Sequence, residues 1–153
     1  MFRTIYGLIF IIFSGSIVGM AFLAPVIQEL FGYPNGENIY ALLSNICHQY
    51  PLNSFWILDR PFAVCARCFS AYFAILIMSL LFLQNRIKMG FIIGLILLFV
   101  AAVEPISATA TSYESNLFTR GLFGVIGGLG VFNILFFFMN KNEETCQKKS
   151  FSC

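Results

Sequence analysis

Residues 4–27 read TIYGLIFIIFSGSIVGMAFLAPVI, without a single Asp, Glu, Lys, Arg or His. A hydrocarbon core of about 30 Å takes roughly 20 apolar residues as a helix rising about 1.5 Å per residue, so this stretch is long enough to cross a bilayer. Three further stretches meet the same condition: Phe62–Leu83, Met89–Thr109 and Leu117–Met139. Arg3 before the first run imitates a signal peptide, but the run is too long and lacks a small-x-small cleavage site, so it is read as a helix. The expected architecture is all-α, a polytopic four-helix bundle over residues 1–140 with spans at 4–27, 62–83, 89–109 and 117–139, followed by a cytoplasmic tail at 141–153.

The composition agrees with a lipid environment. Of 153 residues, 59% are hydrophobic and 10% charged, and the mean hydropathy is +0.84, which is too apolar for a soluble domain of this size. Disorder and nucleic-acid binding are excluded, since a net charge of +2 is too weak to hold a polyanion. Nineteen Phe give the helices shapes that pack specifically.

The positions of the basic residues set the orientation. Four spans place the N-terminus, the second loop and the tail on one side with Arg3, Arg86, Lys88, Lys141, Lys148 and Lys149, against Arg60, Arg67 and Arg120 on the other. Six against three, two of the six in the tight turn Gln84–Lys88, points to both termini in the cytoplasm of a cell with the chain in its inner membrane. The first loop (28–61) and the short polar third loop, Ala110–Asn116, then face outward.

The first loop carries a helical pattern. Ile39, Leu42, Leu43, Ile46 and Tyr50 follow the turn signal Pro34-Asn35-Gly36 at three- and four-residue steps, predicting an interfacial or re-entrant helix of about a dozen residues that ends at Pro51. Trp56 beyond it suits the headgroup boundary. Gly15-x-x-x-Gly19 and Gly124-x-x-x-Gly128 allow close helix approach, either within the bundle or between two copies in a homodimer. The absence of an internal repeat leaves a duplicated transporter architecture without support.

The chemistry gathers in a 22-residue window, Cys47-His48-Gln49 and then Cys65-Ala66-Arg67-Cys68, which holds three of the five Cys and the only His. Cys-x-x-Cys lets two thiols meet one metal ion or form one disulfide, and the Cys-His pair can complete a ligand set. Pro61 fits the first turn of the second span and would put both thiols in its first two turns, where the helix dipole and Arg67 favour thiolate. A full site is Cys47, His48, Cys65 and Cys68; the narrower alternative is three thiolates with His48 supporting them from outside. Zinc is the default ion for mixed Cys and His ligands, with copper second. Cys146 and Cys153 in the tail have no partner His and are read as incidental.

Charges inside the apolar runs converge on the same level. Glu104 lies about fifteen residues into the third span, roughly 23 Å from its cytoplasmic end, and Arg120 opens the fourth. An ionisable group at that depth needs a partner. A Glu104–Arg120 ion pair pinning the hairpin is the first expectation, and a polar pocket of Gln49, Arg67, Glu104, Asn116 and Arg120 beside the thiols is the second, the two being compatible.

At Cys47-His48-Gln49-x-Pro51, Ser54-Phe55, Cys65-x-Arg67-Cys68 and Tyr72, the chain resembles an uncharacterised prokaryotic family of small predicted membrane proteins, over about Leu42 to Gly128. The resemblance aligns the family's later acidic residue, Ser-Asn-x-x-x-Arg stretch and Gly-x-x-x-Gly with Glu104, Ser115-Asn116, Arg120 and Gly124/Gly128. Asn53, Phe69-Ser70 and Pro105 depart from the family pattern, Asn53 standing where an Arg is expected. The family implies membership and topology, and no catalytic residue or activity.

Two other functions compete with a metal site. One is a thiol–disulfide oxidoreductase, since the layout is similar to the quinone-linked disulfide-forming proteins of bacterial inner membranes; quinone would be its cofactor, but the second Cys pair of those proteins has no counterpart in the third loop. The other is an accessory or structural subunit stapled by a disulfide. An ion channel is disfavoured because no span has a polar stripe along its length.

Overall fold

The computed structural model describes residues 2–32, 36–83, 90–111 and 116–150. The turn with Arg86 and Lys88, the Pro34-Asn35 signal, most of the polar third loop and Cys153 lie outside the described residues.

The fold is of the all-α class and membrane-like, with one short β-hairpin. Helix α1 spans Phe2–Phe31, the short α2 Glu37–Leu43, α3 Ala66–Leu83, α4 Phe91–Thr111 and α5 Leu117–Ser150. Among the described residues, α1, α3 and α5 each contain a stretch long and apolar enough to cross a membrane, while the apolar stretch of α4, Phe91–Ser107, is shorter. Large side chains such as Ile12, Ile92, Phe99 and Phe118 are 70–79% exposed on their outer faces. In water these would be a liability; in lipid they are the outer surface of the protein.

The long helices pack mainly in the order α1, α3, α5, α4. Glycine contacts give the directions. Gly7 lies against Leu83 and Gly15 against Leu76, so α1 and α3 are antiparallel; Gly124 lies on Arg67 and Gly128 on Ala71, so α3 and α5 run parallel; Gly94 faces Ile134 and Gly127 faces Ala101, so α4 returns antiparallel to α5. The Gly124/Gly128 face is therefore filled within one chain, its absent side chains allowing contact with the α3 backbone. Gly19 has no heavy atom within 4 Å of where a Cβ would stand. Aromatic rings fill the end of the helices away from the loop cap, with Phe82 and Phe136 centroids 4.6 Å apart and Phe10 and Phe132 6.2 Å apart.

The first span is longer than its apolar core, ending at Phe31 where Gly32 adopts φ +68° and breaks the helix. Pro25 sits inside it, fully buried. The second span begins at Ala66, four residues later than expected. Pro61 is not in its first turn: it lies in β2 (Arg60–Pro61), paired antiparallel with β1 (Trp56–Ile57), with Trp56 opposite Pro61. The turn residues Leu58 and Asp59 have φ of +51° and +57°, as a two-residue hairpin turn with the strand's twist requires. Neither is Gly or Asn, which is why the hairpin left little mark in the sequence. Leu58→Asn should relieve about 1 kcal/mol of left-handed strain, seen as a raised thermal midpoint of the solubilised protein; an unchanged or lower midpoint would contradict a strained turn.

The helix expected over the first loop is also shorter. It is seven residues long, and the chain leaves it after Leu43 instead of at Pro51. Leu43 is buried, whereas Ile46 and Tyr50 stand off the helix and are exposed. Ser44 and Asn45 mark the early exit, Ser44 Oγ donating to the Ala41 carbonyl at 2.7 Å and Asn45 Nδ2 to the Leu42 carbonyl at 3.1 Å, which occupies acceptors that a further turn would use. Beyond it Gln49, at φ +51°, donates its Nε2 to the Tyr40 carbonyl at 2.6 Å and folds the Cys-His-Gln segment back onto α2. Pro51 then starts a single 3₁₀ turn, with Tyr50 before it held extended.

Candidate metal centre

Three segments meet at one end of the helices. Tyr40 on α2 donates its hydroxyl to the Pro61 carbonyl at 2.5 Å, and the Trp56 indole donates to the Pro51 carbonyl at 3.0 Å. Phe62, between the hairpin and α3, packs edge-on against Phe22 of α1 and Phe69 of α3. The exposed Arg60–Glu29 pair, at 3.2 Å, adds little in that position. A cluster of Ile17, Ala21, Ala24, Leu43, Ala63 and Val64 fixes the backbone beneath.

Onto that base the fold delivers three sulfurs. Cys47 is buried in the turn after α2, its N–H bonded to the Leu43 carbonyl at 3.1 Å. Cys65 immediately precedes α3 and its carbonyl receives the Phe69 N–H at 2.9 Å, while Cys68 lies in the first turn. All three are free thiols, and their Sγ atoms all lie within 4.8 Å of one another. The Cys47 Sγ also accepts the Cys65 backbone N–H at 3.1 Å. Hydrogen bonds from the Cys65 and Cys68 thiols, with the Cys65 backbone N–H, hold the Cys47 thiol far below its ordinary pKa, and burial opposes this only in part. Cys65 moves the other way, chiefly because it donates to Cys47. The cluster thus stabilises a thiolate at Cys47, the form that metal ligation requires.

His48 is not a member of this group. Its side chain is exposed, tilted against Tyr50 with centroids 6.4 Å apart, and lines the cleft beside the sulfurs. The three sulfurs thus form a group by themselves, with the imidazole alongside. Cys47 is turned inward onto Cys65, while the His48 side chain stands at the rim of the cleft.

The ion pair of Glu104 differs from the expectation. Its Oε2 takes the Nη2 of Arg67, not Arg120. Glu104 is 4% exposed, and its Oε1 and the Arg67 Nε are buried without a hydrogen-bond partner. Arg67 sits between the two cysteines of Cys-x-Arg-Cys, so the pair ties that motif directly to α4. Arg120 instead lines the cleft with Gln49, Asn53 and Arg67. Asn116 does not line it: its carbonyl caps α5, accepting the Arg120 N–H at 3.1 Å and the Thr119 hydroxyl at 2.7 Å. Tyr40 and Asn53 are the contributors that sequence reasoning missed, and only the tertiary contacts of Tyr40 could have revealed it.

Fold and site together define a helical membrane protein with a three-thiol cluster beneath a loop cap. The chain belongs to the family described as "Predicted membrane protein (DUF2085)", whose model matches residues 47–134, from the first clustered cysteine to the glycine face of α5. It is also similar to an uncharacterised protein of the archaeon Methanocaldococcus jannaschii, 51% identical over 39 residues, which are 26% of this chain and 25% of that protein. The chain thus matches about a quarter of that relative's length. No solved structure matches.

Proposed function

We propose that the protein is an integral membrane metalloprotein in which Cys47, Cys65 and Cys68 hold a zinc-like ion on the outer side of a prokaryotic inner membrane. The supporting observation is the mutual approach of three free thiols within 4.8 Å. Two thiolates at ~2.3 Å from a tetrahedral ion stand about 3.8 Å apart, so loading requires a contraction of at most about 1 Å. His48 at the rim supplies a fourth ligand after a side-chain rotation, or that position is left to water or a substrate. Zinc suits the set, and copper(I) is the competing ion for soft thiolates. In this reading the four long helices span as a bundle with both termini cytoplasmic, and the cap faces out.

Metal analysis by mass spectrometry on the purified protein tests the reading. Near-stoichiometric zinc or copper is expected, lost in Cys47→Ser, Cys65→Ser and Cys68→Ser, with His48→Ala weakening affinity by about 10-fold or more. Metal-free protein with all thiols intact would overturn it, and a Cys65–Cys68 disulfide cycling in cells would transfer the site to thiol–disulfide exchange. Labelling of Cys146 in intact cells by a membrane-impermeant thiol reagent would invert the orientation.

A further inference from the structure

A cleft of about 230 Å³ opens directly onto the three sulfurs. It is smaller than sites for drug-sized ligands, which begin at about 300 Å³. No Asp or Glu lines it among the described residues; its polar wall is Arg67, Arg120, His48, Asn53 and Gln49. Gln49 is already committed to the Tyr40 carbonyl. Arg67 has one guanidinium nitrogen on Glu104 and a buried Nε without a partner. Glu104 thereby fixes the Arg67 fork at the cleft wall while engaging only part of its five donors.

We propose that this cleft binds a phosphate group, one oxygen taking the open position of the thiolate-held ion and the others accepting hydrogen bonds from Arg67, Arg120 and Asn53. The proposal rests on the metal reading and names its ligand. Three protein ligands leave one position on a four-coordinate ion, and that position faces the cleft because all three cysteines line it. Arginine forks from two different helices suit an oxyanion. Two guanidinium forks and the Asn53 amide offer more donors than a planar carboxylate with two oxygens can use, which favours a tetrahedral group with several acceptor oxygens. The group can belong to free phosphate or to a lipid headgroup, since the cleft lies at the ends of apolar helices.

The test uses the full-length protein in a phosphate-free maltoside detergent, loaded with cobalt(II) as a spectroscopic probe and titrated with inorganic phosphate. Expected is a saturable shift of the cobalt d–d bands, with Arg120→Gln weakening phosphate by roughly tenfold or more while the thiolate charge-transfer bands persist. Prior addition of phosphatidylglycerol separates the sources: suppression of the phosphate response identifies a headgroup, and no suppression identifies the free anion. Unshifted d–d bands at tens of millimolar phosphate, or equal affinity in Arg120→Gln, would overturn the proposal. If cobalt shows no thiolate bands, the metal reading fails; calorimetry on the metal-free protein then decides, binding lost in Arg120→Gln keeping the anion site and no binding refuting it.

Discussion

Gly124→Ala and Gly128→Ala are each expected to destabilise the protein by about 2–3 kcal/mol, the upper part of the range for overpacking. The added Cβ would stand 2.3 Å from the Arg67 carbonyl oxygen in the first case and 2.4 Å from that of Ala71 in the second. Both obstacles are helical backbone, which cannot rotate aside as a flexible side chain can, so α3 and α5 must separate. The better helix propensity of Ala, worth about 1 kcal/mol, does not offset that. Gly19→Ala is the control, with open space at its Cβ position, and should be neutral or slightly stabilising. Unfolding titrations of the three variants in one detergent provide the comparison. If Gly19→Ala proves as damaging as Gly128→Ala, the glycine face of α1 is covered by a second copy of the chain.

Glu104→Ala should have an effect of similar size by a different route. It leaves the Arg67 guanidinium without its carboxylate; breaking a fully buried pair from one side costs about 3–5 kcal/mol, and with the Arg67 side chain 32% exposed the cost falls to about 2–3 kcal/mol. The same change frees the residue between Cys65 and Cys68, and loss of a group that orients metal ligands typically lowers affinity by about 10–100-fold. Glu104→Gln keeps an acceptor and removes the charge, so it should fall between the two. Replacing both partners, Arg67→Met with Glu104→Leu, should restore more stability than metal affinity, because an apolar pair fills the space without holding the motif. Metal affinity unchanged in Glu104→Ala would remove the ion pair from the site.

The difference between what the sequence discloses and what it withholds follows from the range of the interactions. The long apolar helices, the thiol cluster and a buried Glu with a basic partner are legible because apolar run length and Cys spacing are local. The partner itself is not: Arg67 and Arg120 are both plausible from helix depth, and the choice depends on α5 running parallel to α3, which brings the Arg67 backbone under Gly124. The two glycine motifs look alike in sequence, yet one is filled by α3 and the other stands open at Gly19. The hairpin is built on Leu58-Asp59, where Asp59 alone is a turn-forming type and the left-handed Leu58 gives no signal, and its presence goes with a start of α3 at Ala66. The short α2 goes with Ser44 and Asn45, whose side chains take the Ala41 and Leu42 carbonyls and outweigh a helical period that ran on to Tyr50.

The parallel pairing of α3 with α5 also has a consequence for biosynthesis. The three thiols are all translated by Cys68, but the groups that hold them arrive much later, Glu104 on α4 and the glycine face on α5. Chains emerge N-terminus first, at about 5–20 residues per second. For several seconds the cysteines are therefore present without their lock, reactive toward whatever metal or oxidant the compartment offers. On the metal reading, an ion that meets the chain in that interval reaches the thiols before Glu104 and the glycine face have closed on Arg67.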